Sequence, residues 1–162
     1  MNTAPPTRAP NRLGRRGLAA LLLAMAAGQL SNPAGFVDIV ASYRLGGSGV
    51  AWVIGSLLIG GELAGAAGLV SRHQSRRRRG SSLALAVTFV WAALGVQAFT
   101  RGLAVDNCGC FGVHAGQPLR WWVLIEDLGF VAFAWWVRAR SVTSAAVVSS
   151  PENVFEWLRA SQ

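Results

Sequence analysis

The sequence predicts an all-α integral membrane protein, a four-helix bundle with a short interfacial helix. Three observations carry this expectation. The chain is 52% hydrophobic and only 14% charged, where soluble domains carry about 25% charged residues. The apolar residues are gathered into segments close to the ~20 residues that cross a bilayer core. Every basic residue apart from the two histidines is an arginine, and most arginines stand in short clusters beside those segments. The net charge of +8 is thereby accounted for by the positive-inside bias of membrane proteins. A nucleic-acid footprint would be a basic face on a soluble module, so nucleic acid is not expected as a partner; the lipid bilayer is.

Residues 1–16 are basic and contain Pro5, Pro6 and Pro10, the composition of a disordered cytoplasmic tail. Leu18 to Leu30 is the first apolar run. A basic start, an apolar run and Ala24-Met25-Ala26 also suit a cleaved secretory signal. A retained helix is favoured, because apolar positions continue through Phe36, Val37, Ile39, Val40 and Tyr43. Pro33 is expected to break or restart the helix, leaving an interfacial segment that ends at Gly46-Gly47-Ser48-Gly49.

Val50 to Val70 is the second span, and Gly61-x-x-x-Gly65 offers a flat face for close helix approach. Arg72 and the run Arg76 to Arg79 follow as a cytoplasmic loop, whose attraction for anionic lipid is a by-product of its role in topology. Leu83 to Phe99 is the third span. Trp121 to Val137 is the fourth, with Trp121-Trp122 and Trp135-Trp136 suited to the two headgroup belts. The spans and their short loops make a membrane domain over residues 17–140, and residues 141–162 a second cytoplasmic tail. In that tail, Pro151 to Leu158 has the pattern of a surface-lying helix. Twelve arginines lie in the N-terminal tail, the 72–79 loop and the stretch from Arg138 onward, against Arg44, Arg101 and Arg120 in the opposite loops. The expected topology is multi-pass in the plasma membrane, with both termini cytoplasmic and the loop Thr100 to Leu119 outside.

That loop holds both cysteines, in Asn107-Cys108-Gly109-Cys110-Phe111-Gly112. Its compartment permits disulfides, and three readings arise. A structural disulfide stabilises mainly by closing long loops, and a Cys-x-Cys ring closes almost none. A zinc site needs four ligands; Cys108, Cys110 and His114 fall short, and no metal is expected. Small strained disulfides are oxidising and labile, so redox exchange is the preferred reading. Cys108 and Cys110 are the catalytic candidates. Glu62 in span two is either a neutral acid hydrogen-bonded to a neighbouring helix or part of a proton relay or cofactor contact. Glu126 and Asp127 lie near the cysteine end, as acceptors of a thiol proton or as groups solvated or paired with Arg120. His114 is a solvated loop histidine or a base.

These residues resemble the MauE/DoxX-like family of redox-associated membrane proteins, the methylamine utilisation group. The likeness runs from Leu18 to Val137. It rests on Cys108-Gly109-Cys110-Phe111-Gly112 before the tryptophan-led fourth span, on Gly28-Gln29-Leu30 leading to Phe36 and Tyr43, and on Glu62-Leu63-x-x-Gly65. The chain departs from the family pattern at Gln29, where a lysine is expected, and at Glu126, where a basic residue is common. The resemblance implies four transmembrane helices and thiol–disulfide chemistry outside the cytoplasm. It implies work beside a thioredoxin-like redox protein in maturing a disulfide-rich subunit used in methylamine metabolism. A membrane quinone is a candidate electron partner. The expected function is a membrane thiol–disulfide redox or maturation factor, a component of a thiol–disulfide oxidoreductase system. The alternative is a non-enzymatic assembly or scaffold subunit whose glycine-rich helices dock a partner. A transporter is disfavoured by the scarcity of intramembrane polar groups.

Overall fold

The computed structural model describes residues 9–148, with side chains over 12–141. Of the expected disordered tail at residues 1–16, residues 9–16 are helical; residues 1–8 and the expected surface helix at Pro151 to Leu158 lie outside the described residues. The described chain is helical without strands: α1 (Ala9–Leu30), α2 (Pro33–Ser42), α3 (Ser48–Val70), α4 (Gln74–Thr100) and α5 (Trp121–Val148). Helix α3 packs on α1, α2 and α4, and α5 lies against α4 and more lightly against α1.

Helices α3 and α4 are each long and apolar enough to cross a membrane, and α1 with α2 qualifies as a bent pair. The bend is 100° and has a local cause. Asn32 caps α2 by accepting from the Gly35 N–H at 3.0 Å, and Pro33 takes the first helical position, where its missing N–H costs nothing. The short helix after Pro33 is therefore present. It is not simply laid on a surface, because Phe36, Val37 and Val40 are buried and the helix rests on α3.

The glycine face of α3 meets α4. A Cβ on Gly61 would stand 2.7 Å from Val87 Cγ2, and one on Gly68 2.6 Å from Gly80 Cα. At the second crossing the two backbones touch, which only glycine on both sides allows. The arginine run expected as a loop instead forms the first turns of α4. Arginine is a good helix former, and a helix of 27 residues is ~40 Å long against a core of ~30 Å, so this turn projects beyond the apolar layer. The fourth predicted span is the start of α5. By length and composition α5 does not itself qualify as a span; Glu126, Asp127, Arg138 and Arg140 interrupt its apolar stretch at both ends. Its tryptophans are paired with arginines at both ends: Arg120 lies 5.5 Å from the Trp122 ring and Arg140 4.3 Å from that of Trp136.

The bundle has two chemically distinct ends. Gly14 of α1 abuts Trp136, and Arg138 Nε donates to Ser82 Oγ at 3.1 Å. These contacts bring the arginine-bearing starts of α1 and α4 beside the end of α5. At the other end, Arg101 approaches the Arg44 carbonyl, and the loop between α4 and α5 folds down onto α1 and α2. Large apolar side chains such as Leu57, Phe89, Ile125 and Leu128 face outward along the helices, as a lipid environment requires.

Candidate functional site

The loop that carries the cysteines is anchored from four directions. The Cys108 N–H donates to the Gln117 carbonyl at 2.8 Å, and the Tyr43 hydroxyl, at the end of α2, donates to the Cys108 carbonyl at 2.8 Å. Gln29 Nε2 from the end of α1 donates to the Cys110 carbonyl at 3.1 Å. Asn107 holds the turn from within: its Oδ1 accepts from the Gly109 N–H at 2.9 Å and its Nδ2 donates to the Gly112 carbonyl at 3.0 Å. Thus the peptide carbonyls of both cysteines are fixed by side chains from the membrane-domain helices.

Two glycines make this seat possible. Gly109 has φ +85°, a left-handed conformation that disfavours any Cβ. A Cβ there would also lie 2.9 Å from Ile39 Cγ2 and 3.4 Å from Trp91. Gly112 has φ +73°, and its backbone lies directly on that of Gly28 in α1; a Cβ on either would strike the main chain of the other segment. Gly109 lets the chain bend between the two cysteines and also packs closely on Phe36 and Trp91.

Both cysteines are free thiols and buried, at 6% and 5% exposure. The two thiols shift each other's proton affinity in opposite directions. The Cys110 S–H donating to Cys108 pulls the Cys108 thiol down to about 7, assisted by the Cys110 backbone N–H. Burial and the charges of Asp127 and Glu126 oppose this shift. Cys110, as the donor in a buried place, is pushed well above the ordinary thiol range. The pairing favours a single thiolate, with Cys108 the thiol that is lowered.

The other expected site residues divide. Glu62 is fully buried beneath the loop, and its Oε1 accepts from Gln29 Nε2 and from Trp91 Nε1, each at 3.0 Å. Asp127 is buried against Gly95 of α4. Glu126 is exposed and accepts from Gln117 Nε2 at 3.1 Å, which ties it to the residue whose carbonyl receives the Cys108 N–H. His114 is exposed, and no group of three or more His, Cys, Asp or Glu able to hold a metal occurs among the described residues. A cavity of about 370 Å³ opens at this end, lined by Ser42, Arg44, Gly102, Leu103 and Ala104.

Tyr43, Asn107, Gln117, Gln29 and Trp91 are the site residues that sequence reasoning did not assign. For Gln29 a signal existed, since a neutral amide in an apolar run calls for a buried partner. For Asn107 and Gln117 none did, because polar residues are ordinary in a loop.

The model of the family described as methylamine utilisation protein MauE matches residues 8–140, most of the chain. No curated protein and no solved structure matches.

Proposed function

The chain belongs to the MauE family, and from that premise we propose that it is a membrane thiol–disulfide redox factor supporting disulfide formation in an extracytoplasmic partner. The observation that carries the reading is the pair of free thiols in one rigidly seated turn, with Cys108 drawn toward thiolate by Cys110. A pair serving only to brace the loop has no need of this polarity, because the loop is already held by Tyr43, Gln29 and Asn107.

The exchange runs as follows. A thiolate of a reduced partner attacks Cys108 Sγ in the Cys108–Cys110 disulfide, that bond breaks, and Cys110 leaves as a thiolate that takes up a proton. The second partner thiolate attacks the partner sulfur of the mixed disulfide, and Cys108 leaves as the thiolate that its hydrogen bond from Cys110 favours. Two electrons pass from the partner dithiol to the Cys108–Cys110 pair, and the partner gains one disulfide. A thioredoxin-like domain in its disulfide form re-oxidises the pair by the same steps in reverse. Burial of both sulfurs means that each encounter requires the loop to lift from its seat.

In this reading α1, α3, α4 and α5 are the four crossings, and α2 is the bent piece beneath the loop. The support for orientation is the gathering of Arg12, Arg15, Arg16, Arg72, the run Arg76 to Arg79, Arg138 and Arg140 at one end. That end is cytoplasmic by the positive-inside rule, with the cysteine loop outside the plasma membrane. Methylamine metabolism is the physiological setting that family membership supports.

The test is to trap the mixed disulfide. In Cys110→Ser the resolving thiol is gone, and Cys108 should accumulate a reductant-sensitive adduct with a thioredoxin-like protein, identified by mass spectrometry. Full partner maturation in the Cys108→Ser, Cys110→Ser double variant, with no adduct in the single one, would instead favour the scaffold reading.

A further inference from the structure

Glu62 is fully buried in α3, inside a segment apolar enough to cross a membrane. What faces its carboxyl is the Gln29 amide from α1 and the Trp91 indole from α4. The Cys110 thiol in the loop above is a titratable neighbour. Among the described residues no basic side chain pairs with it.

The hydrogen bonds around this group do not balance. Both donors converge on Glu62 Oε1, while Oε2 is buried with no partner. Gln29 Nε2 spends one hydrogen on Glu62 Oε1 and the other on the Cys110 carbonyl. Gln29 Oε1 is likewise buried with no partner. Two orphaned acceptors thus belong to two groups already joined by a hydrogen bond. A buried carboxylate with one bare oxygen is costly, and so is a bare amide carbonyl.

We infer that one proton closes both gaps: Glu62 is a neutral acid that carries it on Oε2 and donates it to Gln29 Oε1, and this acid–amide pair latches the Cys110 end of the cysteine loop. With both amide edges engaged, the Gln29 side chain cannot rotate, and its second N–H stays aimed at the Cys110 carbonyl. Removing the proton sets an anionic oxygen against the Gln29 carbonyl oxygen, turns the amide and releases Cys110. The membrane domain therefore contains a proton site whose occupancy governs how firmly the thiol pair is seated.

Glu62→Gln is the discriminating variant. Its amide N–H replaces the acid proton toward Gln29 Oε1, and its carbonyl continues to accept from Gln29 and Trp91, so it mimics the neutral acid permanently. Two readouts on the detergent-solubilised full chain test the inference. Infrared difference spectra, wild type minus Glu62→Gln at pH 7, should show the carbonyl band of a protonated, deuterium-sensitive carboxyl. Alkylation of Cys110 in a Cys108→Ser background should stay within about twofold on adding Glu62→Gln and rise about tenfold on adding Gln29→Leu, the size expected for losing one hydrogen bond to a buried carbonyl. A carboxylate signal in place of the acid band would overturn the inference. So would acceleration by Glu62→Gln equal to that of Gln29→Leu, or failure of Glu62→Gln to fold, because a true mimic must be tolerated. Neither readout requires a redox partner, so this inference and the proposed function can fail separately.

Discussion

Replacing Tyr43 by Phe removes one oxygen and keeps the ring that fills the space beneath the loop. Tyr43 is 1% exposed, and its hydroxyl donates to the Cys108 carbonyl at 2.8 Å. In the variant that carbonyl is buried without this donor, a loss of about 1–3 kcal/mol to the seated loop. The lifted loop pays no such penalty, since its carbonyl meets water. The opening equilibrium should therefore shift by about fivefold to 150-fold. Cys108 is buried when the loop is seated, so alkylation by a small neutral reagent proceeds through the lifted form and its rate should rise by the same factor. The assay is the pseudo-first-order labelling rate of reduced protein at fixed pH, with circular dichroism confirming that the helices are retained. Rates equal within about twofold in a folded variant would refute the idea that the Tyr43 contact holds the site closed.

The pH profile of labelling gives a second expectation. The Cys108 thiol is lowered to about 7, so its reactivity should level off above that value and fall about tenfold per pH unit below it, as the thiolate is lost. In Cys110→Ala the main cause of the lowering is absent while burial remains, and the inflection should move to the alkaline side. Gly112→Ala combines a left-handed φ of +73° with a main-chain collision against Gly28. It should cost about 3 kcal/mol or more, seen as a lowered unfolding temperature. At the helix crossing, Gly68→Ala drives a methyl into the Gly80 backbone and should destabilise by about 1–3 kcal/mol. Gly60→Ala, with nothing within 4 Å, should be neutral or stabilising by up to ~1 kcal/mol in the same measurement.

The helices were legible because their causes are local. Apolar runs located α3 and α4, and Pro33 marked the start of α2. The cysteine pair stood out as the one reactive motif in a polar gap. What stayed hidden depends on contacts distant in sequence. Gly68 and Gly80 meet only because α3 and α4 cross there; nothing in either segment distinguishes them from other glycines of these helices. Glu62 attracted notice as an acid in an apolar run, yet its partners Gln29 and Trp91 lie 33 and 29 residues away. His114, read from sequence as a solvated loop histidine or a base, is left exposed beyond the turn that Asn107 and Gly112 seal. Helix α5 ran past the expected end of its span at Val137 to Val148, since charged residues end an apolar stretch without ending a helix.

The central claim is that Cys108 and Cys110 form a redox pair facing the oxidising side of the membrane. Its most direct measurement is acid-quenched labelling of intact cells with a membrane-impermeant thiol reagent, before and after reductant. Labelling of both cysteines only after reduction, without opening the membranes, is the predicted result: a disulfide on the outer face. Labelling without any reductant would contradict the redox claim, and labelling confined to opened membranes would contradict the orientation.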